Sequence, residues 1–384
     1  MPVALAFAIL DLTGSATDLG VVLAAQTVPL VIFVLLGGVW ADRLPRQLVM
    51  LTADAVRALA QGASAVLLLS GHAHIWELAA LQAVYGTAEA FFGPASTALV
   101  PHTVAEPDLQ QANALLGLSG NVAAVLGPAV AGVIVATIGP GWGLAVDGAT
   151  FVASALFLSK LQITSRPAQA RSTTLQELRA GWTAFRSRTW LWVTVIYFTL
   201  FLATVFGPLQ VLGPAVARQA LGGAGAWAAI STALGVGSLL GGVLGLRWRP
   251  RYPLRAAFIG FLIGTPALVA AVAAHAPVPA IVAVALIDGG TGTFFNTVWF
   301  TALQREVPPE ELSRVSSWDY LGSLALLPLG QAVSGPIAAA IGLSTTLFAA
   351  AGLAILMLLT VLAVPAVRNF SHRSRAAASA LRHS

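Results

Sequence analysis

The chain has 384 residues, of which 57% are apolar and only 9% are charged, whereas a soluble domain carries about 25% charged residues. Such a composition cannot cover a water-exposed surface with polar groups, so it excludes a soluble protein and indicates a lipid environment. The chain has no cysteine, which excludes disulfides and thiolate metal sites, and we expect neither a bound metal nor a cofactor. The net charge of +5 comes from short arginine clusters between apolar runs. This pattern is typical of membrane topology and not of nucleic-acid binding.

In chain order, the apolar runs predict one short piece and eleven full transmembrane helices, since a spanning helix requires about 20 apolar residues. The short piece covers residues 1–12, and the full helices are predicted at 18–41, 48–70, 75–101, 109–138, 141–160, 189–212, 223–246, 254–274, 278–304, 311–341 and 343–367. Threading these spans puts all but two of the 20 basic residues on one side of the membrane; the exceptions are Arg57, inside a span, and Arg218. The positive-inside rule makes the basic side cytoplasmic and places the C-terminus there. We therefore expect a multi-pass protein of the cytoplasmic membrane.

The longest hydrophilic break divides the predicted spans into two groups. This break, residues 161–188, is predicted to be an amphipathic helix on the cytoplasmic surface. The prediction is thus an N-terminal transmembrane bundle over 1–160, the linker, a C-terminal bundle over 189–367 and a basic cytoplasmic tail over 368–384.

An internal repeat relates the two groups of spans. The segment 127–139 aligns with 330–342 at an offset of 203, with eight of thirteen positions identical, and Phe91-Phe92 matches Phe294-Phe295 at the same offset. Chance similarity between apolar segments is the alternative, but matches that keep one register over separated blocks favour duplication. The repeat predicts two homologous bundles of six helices.

The same repeat places part of the first span before residue 1. The counterpart of the seventh span lacks over a dozen residues at its start, and half a helix in hydrocarbon leaves backbone groups without partners. Our hypothesis is that the natural chain begins upstream of Met1. An in-frame stop codon directly before Met1 would contradict it.

Four stretches give the chain a resemblance to a known family. They are Thr13-Gly14-Ser15-Ala16 with Leu19-Gly20, the run from Gly38 to Arg46, Phe92-Gly93-Pro94-Ala95 with Asn113-Ala114, and Gln304-Arg305-Glu306-Val307-Pro308 with Arg314-Val315-Ser316-Ser317. With these the chain resembles exporters of the major facilitator superfamily, in the bacterial branch of the enterobactin exporter and related multidrug efflux proteins. The resemblance implies an all-α membrane fold of two pseudo-symmetric six-helix bundles, here with a truncated first helix.

The loop between the second and third spans carries the gating motif of this superfamily. The matching residues are Gly38, Asp42, Arg43 and Arg46. The resemblance implies that Asp42 caps a helix of the opposite half and locks the outward-facing state, with both arginines paired near it. Pro45 and Gln47 depart from the family pattern. A plain topology-determining arginine cluster is the alternative, but an acidic residue adds nothing to topology.

The fifth span carries a second family motif on Gly127, Pro128 and Gly132. It resembles the motif of drug/proton antiporters, which implies export. Close packing of helices at glycines and a proline bend explain these residue types equally well.

Ionisable residues inside predicted spans are candidate sites, because a charge in hydrocarbon costs several kcal/mol unless it is paired or hydrated. Glu89 lies about 20 Å from either end of the fourth span, and Asp288 lies halfway along the tenth. Since burial disfavours the charged form of a carboxyl group, both are candidates for proton coupling, the alternative being a neutral acid with a packing role. Asp54 and Arg57, at i and i+3, are predicted to form a structural ion pair.

The repeat places these two acids on corresponding stripes of the fourth and tenth spans. One stripe holds Tyr85, Glu89, Phe92 and Ser96, and the other holds Asp288, Phe295 and Trp299. The resemblance implies that both helices line the central cavity. Carboxylates and aromatic faces suit cationic or amphipathic ligands, so these side chains are candidates for the walls of a substrate cavity.

The function predicted from the sequence is secondary active export of a small amphipathic molecule, drug- or siderophore-like, by proton antiport and alternating access. The chain has no phosphate-cradling nucleotide loop, so the energy is expected from an ion gradient. The expected partners are the substrate, protons and the bilayer, without nucleic acid, and we expect a monomer. The alternatives are an uptake permease or facilitator and a truncated chain that does not transport. An enzyme is disfavoured because no catalytic side chains cluster at one interface.

Overall fold

A computed structural model of the chain describes residues 2–99, 103–104, 108–161 and 181–371. Within the helices it leaves out the side chains of 35–43, 97–98, 109–110, 113–114, 309–310 and 313. Regular structure in these residues is helical and contains no strand, which confirms the predicted all-α class.

Six helices cover the first part of the chain. They are α1 (Pro2–Thr13), α2 (Ala16–Arg43), α3 (Arg46–Leu69), α4 (Ile75–Leu99), α5 (Leu109–Ile138) and α6 (Pro140–Ser159). Of the predicted linker, the structure describes only residue 161 and residues 181–188. Residues 181–186 of it are helical, and the ring of Trp182 lies 5.0 Å from that of Trp318.

Six further spans follow. They are α7 (Thr189–Leu221), α8 (Ala224–Arg247), α9 (Pro253–Ala273), α10 (Val278–Glu306), α11 in two pieces (Pro309–Leu324 and Leu327–Ile341) and α12 (Leu343–Ala363). Helix α7 contains π-helical turns at Leu202–Phe206 and Ala217–Leu221 and runs beyond its predicted end at 212. Helix α12 ends shortly before Pro365, whose ring and missing N–H cannot continue a helix.

Nine segments of the described residues are long and apolar enough to cross a membrane, whereas α1 is too short at 12 residues. The nine do not include α3 and α4, which carry the buried polar side chains described below. The chain is therefore a multi-pass membrane protein by length and composition.

Two glycines that the internal sequence repeat aligns have nearly the same backbone φ angle. Gly139 separates α5 from α6 with a φ of 97°, and Gly342 separates α11 from α12 with a φ of 93°. A positive φ is costly for residues with a Cβ. The same short link between helices thus occurs at the same position of both halves of the sequence.

The contacts divide the structure into two compact units. The first contains the described residues up to 161 with Phe206–Thr232 and Leu327–Thr346, and the second contains the other described residues. These units are defined by which residues lie close together, whereas the predicted domains are defined by the sequence repeat. The predicted domain boundaries therefore stay a prediction.

Helices of the first unit approach closely at glycines. A Cβ at Gly86 of α4 would overlap the carbonyl oxygen of Gln26 in α2, and a Cβ at Gly20 of α2 would overlap that of Gln331 in α11. Gly335 of α11 likewise lies against the backbone of Thr17. Small residues that let backbones meet are the usual means of helix packing in membranes.

Candidate functional site

Polar side chains line the interface between α3 and α6 in the first unit. Positions i, i+3 and i+7 of α3 share one face of that helix. The contacts across this antiparallel interface pair Asp54 with Ser154, Arg57 with Phe151 and Gln61 with Asp147. The interface is therefore a polar ladder between α3 and α6.

Arg57 is the cation of this ladder. Its Nη2 donates to Asp54, and its guanidinium carbon lies 4.1 Å from the centre of the Phe92 ring and 4.4 Å from that of Phe151. The side chain of Arg57 is 8% exposed and that of Asp54 is fully buried. The structure thus brings together the predicted pair, and Ser154 completes it by donating to the other Asp54 oxygen over 2.6 Å.

Glu89 lies on α4 beside this ladder and is half-buried. Its Oε2 accepts a hydrogen bond of 3.4 Å from the Gln26 side chain of α2. Both Arg57 and Asp147 act on it electrostatically. The candidate proton-coupling group therefore lies in a network of charged and amide side chains.

The predicted α4 stripe is directed partly into this network. Tyr85 is 6% exposed, and its ring meets the Phe151 ring edge-on at 5.8 Å. Phe92 covers Arg57, while Ser96 is half-buried one turn further along. The role of these residues as cavity walls stays a prediction.

Asp147 is a site residue that the sequence analysis missed. Its Oδ2 accepts a hydrogen bond of 3.1 Å from Gln61, whose Oε1 accepts one of 3.3 Å from Gln82. The Gln82 side chain is fully buried, and its Oε1 has no hydrogen-bond partner among the described residues. Asp147 lies inside the predicted span 141–160, so the criterion that selected Glu89 would have found it.

In the second unit, Asp288 lies half-buried on α10. Its Oδ1 accepts a hydrogen bond from the Thr265 hydroxyl of α9. Gly264 permits this contact, because a Cβ there would lie 2.9 Å from the Asp288 Cα. The second acid therefore has a neutral hydroxyl partner.

Aromatic rings of the second unit form a cluster. Neighbouring ring centres lie 4.9 to 6.0 Å apart among Tyr197, Phe198, Phe201, Phe258, Phe261 and Phe295. Phe295 is 1% exposed inside this cluster. A substrate could reach it only if neighbouring rings moved, so its assignment to a cavity wall stays a prediction.

Trp299 joins the cluster to another half-buried acid, Asp319. Its Nε1 donates a hydrogen bond of 3.0 Å to Asp319 of α11, and its ring meets that of Trp190 at 5.5 Å. Trp299 is buried in this arrangement. The indole thus fixes the Asp319 carboxylate within the second unit.

The predicted gating motif is only partly described. The backbone of α2 runs through Gly38, Asp42 and Arg43, but their side chains lie outside the described residues. Arg46 begins α3 and is half-buried.

In the antiporter-like motif, Gly132 makes a close helix contact. A Cβ at Gly132 would overlap the side chain of Ala228 in α8, whereas a Cβ at Gly127 would meet none of the described residues within 4 Å. Pro128 lies inside α5. The contact at Gly132 agrees with the packing interpretation, and the link to export stays a prediction.

Comparison with known proteins identifies the family of the chain. Residues 1–323 match the family model described as Major Facilitator Superfamily. The chain is 28% identical over 367 residues to the multidrug efflux pump Tap of Mycolicibacterium fortuitum, covering 90% of this chain and 87% of that protein. It is 24% identical over 353 residues to the macrolide efflux protein A of Streptococcus pyogenes, covering 90% and 86%.

The fold is similar to that of a solved transporter. A variant of the nucleoside transporter NupG matches with a TM-score of 0.78 and 15% identity over 94% of both chains. At this identity the match shows the fold alone. It confirms the predicted fold class, while the division into two six-helix bundles stays a prediction.

Proposed function

Because the chain belongs to the Major Facilitator Superfamily, it is a transporter and not an enzyme, and we propose that it exports a small amphipathic molecule by proton antiport. The two similar proteins named above are efflux pumps by name, and the similarity covers 90% of this chain in each case. Their names favour export over uptake and a drug-like substrate.

The observation that carries the proposal is the position of Glu89 inside α4. Its described hydrogen-bond partner is a neutral amide at 3.4 Å, and an ionised carboxylate in such surroundings costs several kcal/mol. Binding a proton removes this cost, and losing the proton restores it. A group balanced in this way can exchange a proton during each transport cycle.

The second unit supports an amphipathic substrate. Asp288 supplies a carboxyl group on α10, and the aromatic cluster around Phe295 supplies flat apolar faces. Rings and carboxylates together attract organic cations. We assign proton exchange to Glu89 and substrate recognition to the side of Asp288.

The charge pattern supports a definite orientation. The arginine clusters of the sequence fall on one side of the spans, which the positive-inside rule makes cytoplasmic. We therefore propose a monomer in the cytoplasmic membrane with a cytoplasmic C-terminus. Asp42 would lock the outward-facing state from this side.

The proposal is tested in everted membrane vesicles with a fluorescent lipophilic cation, ethidium, as the probe. A proton gradient should drive ethidium into the vesicles, and adding ethidium should release protons from them. Glu89→Gln should abolish both effects while the protein stays in the membrane, because glutamine cannot exchange a proton.

Glu77→Gln is the matched control. Glu77 lies near the start of α4, 3.2 Å from His74, and its substitution should leave transport unchanged. Wild-type coupling in Glu89→Gln would remove Glu89 from the mechanism. If the proton gradient drives ethidium out of the everted vesicles, the proposed direction of transport is wrong and the protein catalyses uptake.

A further inference from the structure

We propose that Arg57 is a positioning residue for proton exchange at Glu89, acting as a counter-ion that Asp54 and Glu89 share. This inference rests on the proposed proton-coupled function. It departs from the prediction of a purely structural ion pair between Asp54 and Arg57.

The guanidinium of Arg57 contacts α4 one turn from Glu89. Its carbon lies 4.1 Å from the centre of the Phe92 ring, and Phe92 follows Glu89 by three residues. Residues at i and i+3 share one helix face. Arg57 therefore lies against the part of α4 that carries Glu89.

The two phenylalanine rings lie against the guanidinium of Arg57 and leave its N–H groups uncovered. Phe92 and Phe151 cover the guanidinium at 4.1 and 4.4 Å, whereas its five N–H groups point outward in the guanidinium plane. Nη2 is bound to Asp54, but the buried Nε has no hydrogen-bond partner among the described residues. A guanidinium held by stacking can turn within its plane and present this donor to a second acid.

Asp54 can release Arg57 without losing all its partners. Its Oδ2 accepts the Ser154 hydroxyl at 2.6 Å, independently of Arg57. Losing its cation costs a buried carboxylate less free energy if it keeps another hydrogen bond than if it keeps none. Sharing of Arg57 is therefore energetically accessible.

Arg57 is also the cation available to Glu89. In the described parts of α1 to α6 it is the only basic residue away from the helix ends. Of the neighbouring groups, Gln26 of α2 and Tyr85 of α4 are neutral, and Asp147 of α6, which accepts from Gln61, is a second acid of the network. When Glu89 loses its proton, Arg57 is the described side chain that can balance the new charge.

The test compares wild type with Asp54→Asn and with the double variant Asp54→Asn/Arg57→Gln. The double variant avoids the unpaired buried acid that Arg57→Gln alone would leave, so it is expected to fold. Proton occupancy of Glu89 is followed by the infrared band of its protonated carboxyl group, identified by its loss in Glu89→Gln. This readout requires no transport.

The shared counter-ion predicts shifts of opposite sign. In Asp54→Asn, Arg57 is a counter-ion for Glu89 alone, so Glu89 should lose its proton at lower pH than in wild type. In the double variant no cation remains, so the proton should be held to a pH at least about one unit higher, which is a tenfold change in proton affinity. A purely structural pair predicts that the double variant titrates like wild type, because two neutral amides replace an ion pair of zero net charge, and that result would overturn the inference.

The infrared titration tests the shared counter-ion, and the vesicle assay tests proton antiport, so either claim can be refuted without the other. Opposite shifts without ethidium-driven proton release would retain the shared counter-ion and refute proton antiport. Proton release in wild type with no shift in the double variant would retain antiport and refute the role of Arg57.

Discussion

Arg218 of α7 donates a hydrogen bond of 3.1 Å to the carboxylate of Asp11 at the end of α1. Arg218 is the one basic residue outside the spans that the predicted topology leaves on the far side of the membrane. Both side chains are partly exposed, so the pair by itself contributes about 0 to 1 kcal/mol. Its importance lies in its position, because it joins the short helix α1 to α7.

We predict that holding α1 to α7 at this pair stops transport. Alternating access requires helices to separate at each end of the protein in turn. The chain has no cysteine, so Asp11→Cys/Arg218→Cys can be cross-linked with a short bifunctional thiol reagent without background. Ethidium transport should fall at least tenfold and recover when a cleavable linker is cut.

The two single-cysteine variants, treated with the same reagent, control for modification of either side chain alone. They should keep most of the transport rate. Normal turnover of the fully cross-linked protein would show that α1 and α7 stay together throughout the cycle.

We predict that Gly335→Ala destabilises the protein. The added Cβ would overlap the backbone of Thr17 in α2, and overpacking of this kind costs about 1 to 3 kcal/mol. The melting temperature in detergent should fall. Gly352→Ala in α12 is the matched control, because a Cβ there meets none of the described residues within 4 Å, and it should leave the melting temperature unchanged or raise it. Equal melting temperatures for the two variants would contradict the close contact.

We predict that Asp288→Asn discriminates between charged and neutral substrates. Removing the carboxylate charge should weaken ethidium binding about tenfold, or about 1.4 kcal/mol, and leave binding of the neutral probe chloramphenicol unchanged. Fluorescence titration of the purified protein measures both affinities. Asp319→Asn controls for loss of a half-buried acid elsewhere in the second unit, since Asp319 is bound to Trp299. Equal losses for both probes would point to a packing role for Asp288.

Most helix positions could be predicted because each span is a long apolar run between polar breaks. The break in α11 at residues 325–326 was not predicted, although Pro328 follows directly and cannot donate to the carbonyl of Leu324. The π turn at Leu202–Phe206 likewise precedes Pro208. Both prolines were visible in the sequence, but an apolar run alone does not reveal where the backbone hydrogen bonds shift.

The site was predictable only within single helices. The spacing of Asp54 and Arg57 predicted a contact that the structure contains. The two rings that enclose Arg57 come from α4 and α6, and helical spacing does not show which helices are neighbours. Asp147 shows a different limit, since it was visible inside a span and was missed.

The contact between α2 and α11 has a consequence for repeated movement. At Gly20 and Gly335 one helix meets the other through main-chain atoms. Glycine has no side-chain rotamers to lose, so these two positions add no side-chain entropy cost when the helices pack. Under the proposed alternating access, this low cost would favour repeated closure of the same contact.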